Sequence, residues 1–271
     1  MGRANFHPEA GNAKGESVDR LTLSAGLYRN HDDPQGLMRN NAGTPTRGLM
    51  DGVPLLIPYS RPKIWNFDNA YDVNTTNVFT QGAVGSGTPL ACAGMGLGLF
   101  TNAAADNDFY QYWSKYTVAA VTDGKGIWFR CPITISDALQ SDVYVGLADL
   151  INGGSIDAVH TIFDLGAGNR IDGIGFKKTD GDAIIYAECM NTGLRTTVAV
   201  GTLVSAAEIV LGFHVDTDGA VYFFVDDVYA GFINTYLPGS RTDLYFQFGL
   251  RNGEAVAKNM QIGQTVLMQD I

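Results

Sequence analysis

Residues 209–233 read Ile-Val-Leu-Gly-Phe-His-Val-Asp-Thr-Asp-Gly-Ala-Val-Tyr-Phe-Phe-Val-Asp-Asp-Val-Tyr-Ala-Gly-Phe-Ile, and no other run constrains the fold as tightly. Ile209, Leu211, Phe213 and Val215 alternate with Val210, Gly212, His214 and Asp216. Alternation with period two places one apolar row on one face of a sheet. Thr217, Asp218 and Gly219 supply the reversal, because Asp bonds its own turn backbone and Gly accepts positive φ at no steric cost. Val221, Phe223 and Val225 make the next strand, and Asp226 with Asp227 the next turn, which spells three consecutive antiparallel strands. Tyr222 and Phe224 fall on the opposite face of the middle strand, so both of its faces are apolar and both need cover. These two rings are the candidate partner-facing aromatics.

The same grammar recurs from residue 64 onward. Strands are expected near 76–80, 90–100, 116–121, 126–135, 143–149, 159–164, 172–178, 183–190, 195–201, 208–216, 220–226, 228–233, 243–251 and 257–268, joined by loops rich in Gly, Asn, Asp and Pro. Helix is scarce: a turn or two over Asp106–Tyr116, and one short turn at Ser205–Glu208. A single open sheet of that many strands would twist until it split or curled, so the expectation for 64–271 is all-β, with two packed antiparallel sheets.

Residues 1–63 differ in kind. They hold six of the nine prolines (Pro8, Pro34, Pro45, Pro54, Pro58, Pro62), which break helix and most strands. Leu21–Leu27 and Val53–Ile57 are their short apolar anchors. Such a segment buries too little to offset its own backbone entropy, and it is expected to be an extended arm ordered by what it lies on. Arg3, Arg20, Leu21, Leu23, Leu27, Arg29, Arg39, Arg47, Leu55 and Ile57 are its candidate contact residues.

Charge narrows the partners. The chain carries −10 overall; 1–63 hold eight basic and six acidic residues, +2, which leaves −12 on the remainder. An acidic body lacks the clustered Lys and Arg that grip phosphate, so nucleic acid is not an expected partner. There is no apolar run long enough for a membrane helix, and the first residues lack the apolar centre of a secretory signal, which points to synthesis in the cytosol. Cys92, Cys131 and Cys189 are odd in number and fall in expected strands with no Cys-x-x-Cys spacing, so they read as reduced core residues.

The segments Gly-Ile-Trp-Phe-Arg-Cys-Pro-Ile-Thr-Ile-Ser-Asp from Gly126, Val143–Asp149, Asp172-Gly-Ile-Gly-Phe-Lys-Lys, His214–Asp226 and Leu244-Tyr-Phe-Gln-Phe-Gly-Leu resemble phage virion proteins with a concanavalin A-like jelly-roll sandwich. The resemblance covers roughly 65–271 and rests on strand pattern. It implies a virion structural protein made in the host cytoplasm, a decoration or cement protein on the capsid surface. Its arm would bind the major capsid protein, and its body would self-associate, with a homotrimer suiting three-fold axes. The same grammar occurs in laminin-G domains, lectins and family-16 type glucanases, so fold does not choose function. A carbohydrate-binding tail or spike module is the alternative.

Catalytic signals are weak. Glycoside hydrolysis needs two carboxylates across the scissile bond, and Glu188, in Tyr-Ala-Glu-Cys-Met, has no second carboxylate two or four residues away. His7, His31, His160 and His214 are scattered, and there is no Gly-x-Ser-x-Gly, His-Glu-x-x-His or P-loop spacing, so no enzyme activity is expected. No cofactor is expected either. Asp180, Asp182, Asp216 and Asp218 lie two apart in loops and are the calcium candidates, although neither pair continues into an EF-hand. For a glycan, Trp65, Trp113, Trp128, Tyr110, Tyr112, Tyr144, Tyr222, Phe224 and Tyr245 are the rings on offer.

Overall fold

The computed structural model describes residues 79–94, 97–121, 125–149, 163, 172–216, 219–239 and 242–269, with the backbone of three short strands nearer the N-terminus. The chain divides into two units, Met1–Arg61 and Pro62–Ile271. In the first, β1 (Tyr28–Arg29) pairs antiparallel with β2 (Met38–Arg39), which places Arg29 opposite Met38 and Arg39 opposite Tyr28. The other expected arm contacts, Arg3, Arg20, Leu21, Leu23, Leu27, Arg47, Leu55 and Ile57, lie outside the described residues.

The second unit continues with β3 (Lys63–Phe67), β4 (Phe79–Val84), β5 (Thr88–Gly94), β6 (Leu97–Thr101), β7 (Phe109–Ser114), β8 (Ala119–Ala120), β9 (Ile127–Ile135) and β10 (Ser141–Ala148). Then follow β11 (Gly173–Lys178), β12 (Ile184–Asn191), β13 (Leu194–Thr202), β14 (Glu208–Val215), β15 (Val221–Val225), β16 (Val228–Ile233), β17 (Asp243–Asn252), β18 (Asn259–Ile262) and β19 (Thr265–Gln269). The first sheet runs β13-β12-β11-β10-β17-β7-β4, with β8 on β17. The second runs β16-β15-β14-β9-β18-β6-β5, with β19 on β9 and β3 on β19. Their ladders are antiparallel throughout the described residues.

The meander forms as its sequence requires. Phe213 faces Phe223 and His214 faces Tyr222 across β14 and β15. Asp226 and Asp227 turn with φ of 51° and 60°, the doubly left-handed geometry that matches the twist of a tight hairpin. In β9, Pro132 sits where the partner changes from β19 to β18, and its carbonyl accepts the Gly263 N–H at 2.8 Å. The missing proline N–H therefore falls in a gap of the ladder rather than inside it.

The core lies between the sheets and is largely aromatic. Phe129 meets Phe246 at 5.6 Å, Phe176 meets Phe223 at 5.5 Å and Phe100 meets Tyr112 at 5.2 Å between ring centroids, each contact joining one sheet to the other. Cys131 and Cys189 are buried free thiols, and burial pushes the Cys131 thiol up to about 12.

Three sequence expectations are corrected. Asp106–Tyr116, read as helical turn, contains the strand β7; its run Phe-Tyr-Gln-Tyr-Trp-Ser is buried on both faces, and a doubly covered strand loses the alternation that marks one. The single strands expected at 90–100 and 257–268 are each two strands, β5 with β6 and β18 with β19. Of 159–164, Phe163 alone is described, and it is not in a strand.

Phe248 is fully buried and its ring centroid lies 5.2 Å from Tyr112 and 5.3 Å from Phe79. Phe248→Ala is expected to cost about 3–5 kcal/mol in urea denaturation, the loss typical of a truncated core aromatic, and a cost below ~1 kcal/mol would contradict this core assignment.

Candidate functional site

Strand register builds a patterned surface on the outer face of the first sheet. Side chains that point away from the core fall into rows across the strands. Phe109, Arg251 and Asp142 form one row across β7, β17 and β10. Gln111, Gly249, Tyr144, Lys177 and Tyr186 form the next. Trp113, Gln247, Gly146, Gly175, Glu188 and Thr197 form the third, from β7 to β13. At about 4.8 Å per strand, Trp113 and Glu188 stand about 19 Å apart along that row.

The glycines make the middle of the row a floor. A Cβ on Gly146 would lie 2.5 Å from the Gly175 Cα, and one on Gly175 would lie 2.9 Å from the Tyr144 hydroxyl. The Tyr144 side chain thus lies over both glycines, a position that any larger residue would deny it. Phe109, Trp113, Tyr144 and Phe163 cluster on this face, with Phe163 edge-on to Phe109 at 6.0 Å and the Arg251 guanidinium 5.4 Å from the Phe163 ring centre.

Gln247 is the decisive polar group. Its Nε2 donates to the carbonyl oxygens of Ala148 (3.2 Å) and Asp149 (2.9 Å). A flipped amide would set its oxygen against both carbonyls, so the orientation is fixed. Oε1 is left as a buried acceptor with no hydrogen-bond partner among the described residues. Three spacings along the row, Glu188 is buried with Oε2 3.7 Å from Arg195 Nη1.

One end of the face is locked by charge. Arg251 Nε bonds Asp142 Oδ2 at 2.8 Å, while Asp142 Oδ1 accepts the Asp180 N–H at 2.9 Å. Lys178 is fully buried and donates to the carbonyls of Leu139 (2.8 Å) and Ser141. Burial draws its ammonium down to about 8, against the opposing pull of Asp142, Asp180, Asp137 and Asp182. Lys258 ties the same loop from outside through Asp137 at 2.6 Å.

The rings suggested by sequence separate by face. Trp113 and Tyr144 meet on the outer face of the first sheet, with Tyr245 a row beyond, opposite Ala148. Tyr110 and Tyr112 belong to the inter-sheet core. Trp128 and Tyr222 lie on the outer face of the second sheet, either side of His214: Trp128 stacks on it at 4.8 Å and 10°, Tyr222 at 6.3 Å and 28°. Phe224 is buried beside Tyr229 at 6.2 Å, and Tyr222 is half-buried between His214 and Phe232. The side chain of Trp65 lies outside the described residues. The calcium candidates do not converge. Asp180 and Asp182 sit in the β11–β12 turn, near the start of β14 through the Leu203 N–H bond to Ala183, whereas Asp216 follows the far end of β14; Asp218 lies outside the described residues. Asp182 Oδ1 caps the Ile184 N–H at 2.9 Å. Gln247 and Phe163 were not singled out by sequence; the available signal was a glutamine flanked by aromatics in Tyr-Phe-Gln-Phe, matched by Tyr-Gln-Tyr around Gln111.

No protein-family model and no curated protein sequence matches the chain. Solved structures do. The chain is similar to the Emp46p carbohydrate recognition domain in its potassium-bound form at 10% identity and TM-score 0.54, over 75% of this chain and 95% of that one. An endo-1,3-β-glucanase from Streptomyces sioyaensis matches at 12% identity and TM-score 0.51 over 76% and 94%. An endo-acting O-glycanase of the human gut microbiota matches at 10% and 0.52 over 75% and 97%. This is a concanavalin A-like jelly roll. Identities this low establish the fold and leave the chemistry to the residues above.

Lys178 gives this jelly roll a distinctive alkaline response. Its pKa falls from 10.5 to about 8 on folding, so the unfolded chain holds more protons between those values. The stability contribution therefore rises with pH through that window and is lost as pH falls through 8. Urea denaturation should show wild type gaining on Lys178→Met as pH rises from about 7 to 10; a constant difference would contradict the burial assigned to Lys178.

Proposed function

We propose that the protein binds neutral glycans on the outer face of its first sheet and does not cleave them. The observation that carries this reading is Gln247 Oε1, a buried acceptor with fixed orientation and no partner among the described residues, in register with Trp113 and the glycine floor. An unmet buried acceptor costs about 1–3 kcal/mol, and a sugar hydroxyl is the donor that such a site takes. Aromatic rings beside it supply the apolar surface on which a pyranose stacks, with a few fixed polar groups for orientation. A −12 charge over 64–271 disfavours anionic glycans. Similarity to a carbohydrate recognition domain and to glycanases supports the same reading.

The absence of cleavage rests on carboxylate count. Glu188 is the carboxylate of its row, Tyr186 and Met190 are its same-face neighbours on β12, and Asp142 is held by Arg251 and the Asp180 N–H. Paired acid and base carboxylates across one bond are not formed by these groups. The capsid-decoration reading rests on arm residues that lie mostly outside the described part of the chain, and nothing in the described sandwich speaks for it.

Phe163 covers this face, and a ligand ring takes the position its ring now holds. A panel of neutral oligosaccharides titrated calorimetrically should yield a binder with no reducing-sugar release. Gln247→Leu should weaken that binder tenfold or more, ~1.4 kcal/mol, with the fold retained by circular dichroism. Phe163→Ala should strengthen it. Failure of every oligosaccharide, or undiminished binding by Gln247→Leu, would overturn the proposal.

A further inference from the structure

Half of the large apolar side chains exposed among the described residues gather on one rim: Leu194, Val228, Tyr229, Phe232 and Tyr236, with Val228 66% and Leu194 57% exposed. On this rim the end strands of the two sheets meet, β13 from the first and β16 from the second. They touch across the layers, where Thr196 Oγ1 and Thr235 Oγ1 are hydrogen-bonded at 2.7 Å and the Val198 side chain lies against Gly231. β13 pairs with β12 along one side, and among the described residues no strand pairs with the other.

A nine-residue edge strand is a template for further pairing, and natural sheets guard such edges with lysine, proline or bulges. β13 has little guard. Residues 194–202 contain no proline and one charge, Arg195, whose guanidinium turns toward Glu188; 228–237 contain no charge. The register shift opposite Ile185 and Tyr186 bends only the far end of β13 and leaves Leu194–Ala199 regular. The opposite rim contrasts with it, since β5 carries Pro89 and two register shifts.

We propose that β13 is a homodimer interface, pairing antiparallel with β13 of a second copy about a two-fold axis. The geometry is self-complementary, because one edge offers the same donors and acceptors to its symmetry mate. Charge selects the same occupant. Two bodies of −12 repel over most of their surfaces, and this neutral rim, apolar on its β16 side, is where two copies approach without that cost. A rim about 30 Å long and two layers deep lies at the small end of stable interfaces, so association is expected in the micromolar range. Pairing would also abut the third rows of two copies, which end on Thr197, into one continuous face.

The test is sedimentation equilibrium of the full chain from about 1 to 100 µM, the range for a small interface. Wild type should dimerise. Thr197→Lys with Ala199→Lys, both exposed on the outer face, sets like charges opposite one another across the two-fold and should weaken the dimer tenfold or more, with an unchanged thermal melt. Hydrogen exchange of wild type gives a second readout that does not depend on the variant: amides of 194–199 should gain protection as concentration rises. A wild type monomeric over the whole range, a variant that associates as well, or an exchange pattern indifferent to concentration would overturn the proposal. None of these outcomes depends on whether a glycan binds.

Discussion

Aromatic packing between the two sheets is the contact on which everything else in this molecule depends. Phe129 against Phe246, Phe176 against Phe223 and Phe100 against Tyr112 join the layers at centroid separations of 5.6, 5.5 and 5.2 Å. From β4 onward the strands of the sandwich commit one face to this core, and period-two geometry then assigns the intervening residues to an outer face. The rows of Trp113, Gln247 and Glu188 outside the first sheet, and of Trp128, His214 and Tyr222 outside the second, are consequences of that commitment. A one-residue slip in β17 would turn Gln247 into the inter-sheet core and Phe248 out of it.

The two outer faces use aromatic rings differently. On the second sheet the rings stack on one another, Trp128 on His214 at 10° and His214 against Tyr222 at 28°, so their faces are occupied within the chain. On the first sheet Phe109, Trp113, Tyr144 and Phe163 form one buried cluster, the Tyr144 side chain lies over the glycines, and the polar groups beyond it are held by backbone carbonyls and by Arg195. On the proposed glycan reading a ligand takes the place of the Phe163 ring on this buried face, whereas the stacked ladder of the second sheet fills its own space. Charge is placed accordingly: the Arg251–Asp142 pair, Lys178 and Lys258 gather at one end, where they fix the loop between β9 and β10 without entering the third row.

Much of the architecture was legible in the sequence. The meander of Ile209–Ile233 was read with its faces and both turns, because Ile209–Val215 alternates cleanly and Asp-bearing turns mark both reversals, even though the middle strand is apolar on both faces. Reading failed at Phe109–Ser114, where burial on both faces erased alternation and aromatic spacing imitated a helix. The candidate site was legible only in fragments. Trp113 and Tyr144 were named among the rings, but sequence could not tell them from Tyr110 and Tyr112, which stand at odd offsets from Trp113, a difference that matters only once β7 is known to be a strand.

By itself the sequence determined the all-β class, the two-sheet sandwich, the cysteines' place in strands and the acidic character of the body, because these follow from local alternation, turn chemistry and composition. Tertiary structure alone decided that Gln247, Gly146, Gly175 and Glu188 share one row, that two acidic turns lie at opposite ends, and that β13 has an open edge. Each of those facts depends on which strands pair and in what register. Pairing between segments distant in the chain is settled by the shared core and not by any local signal.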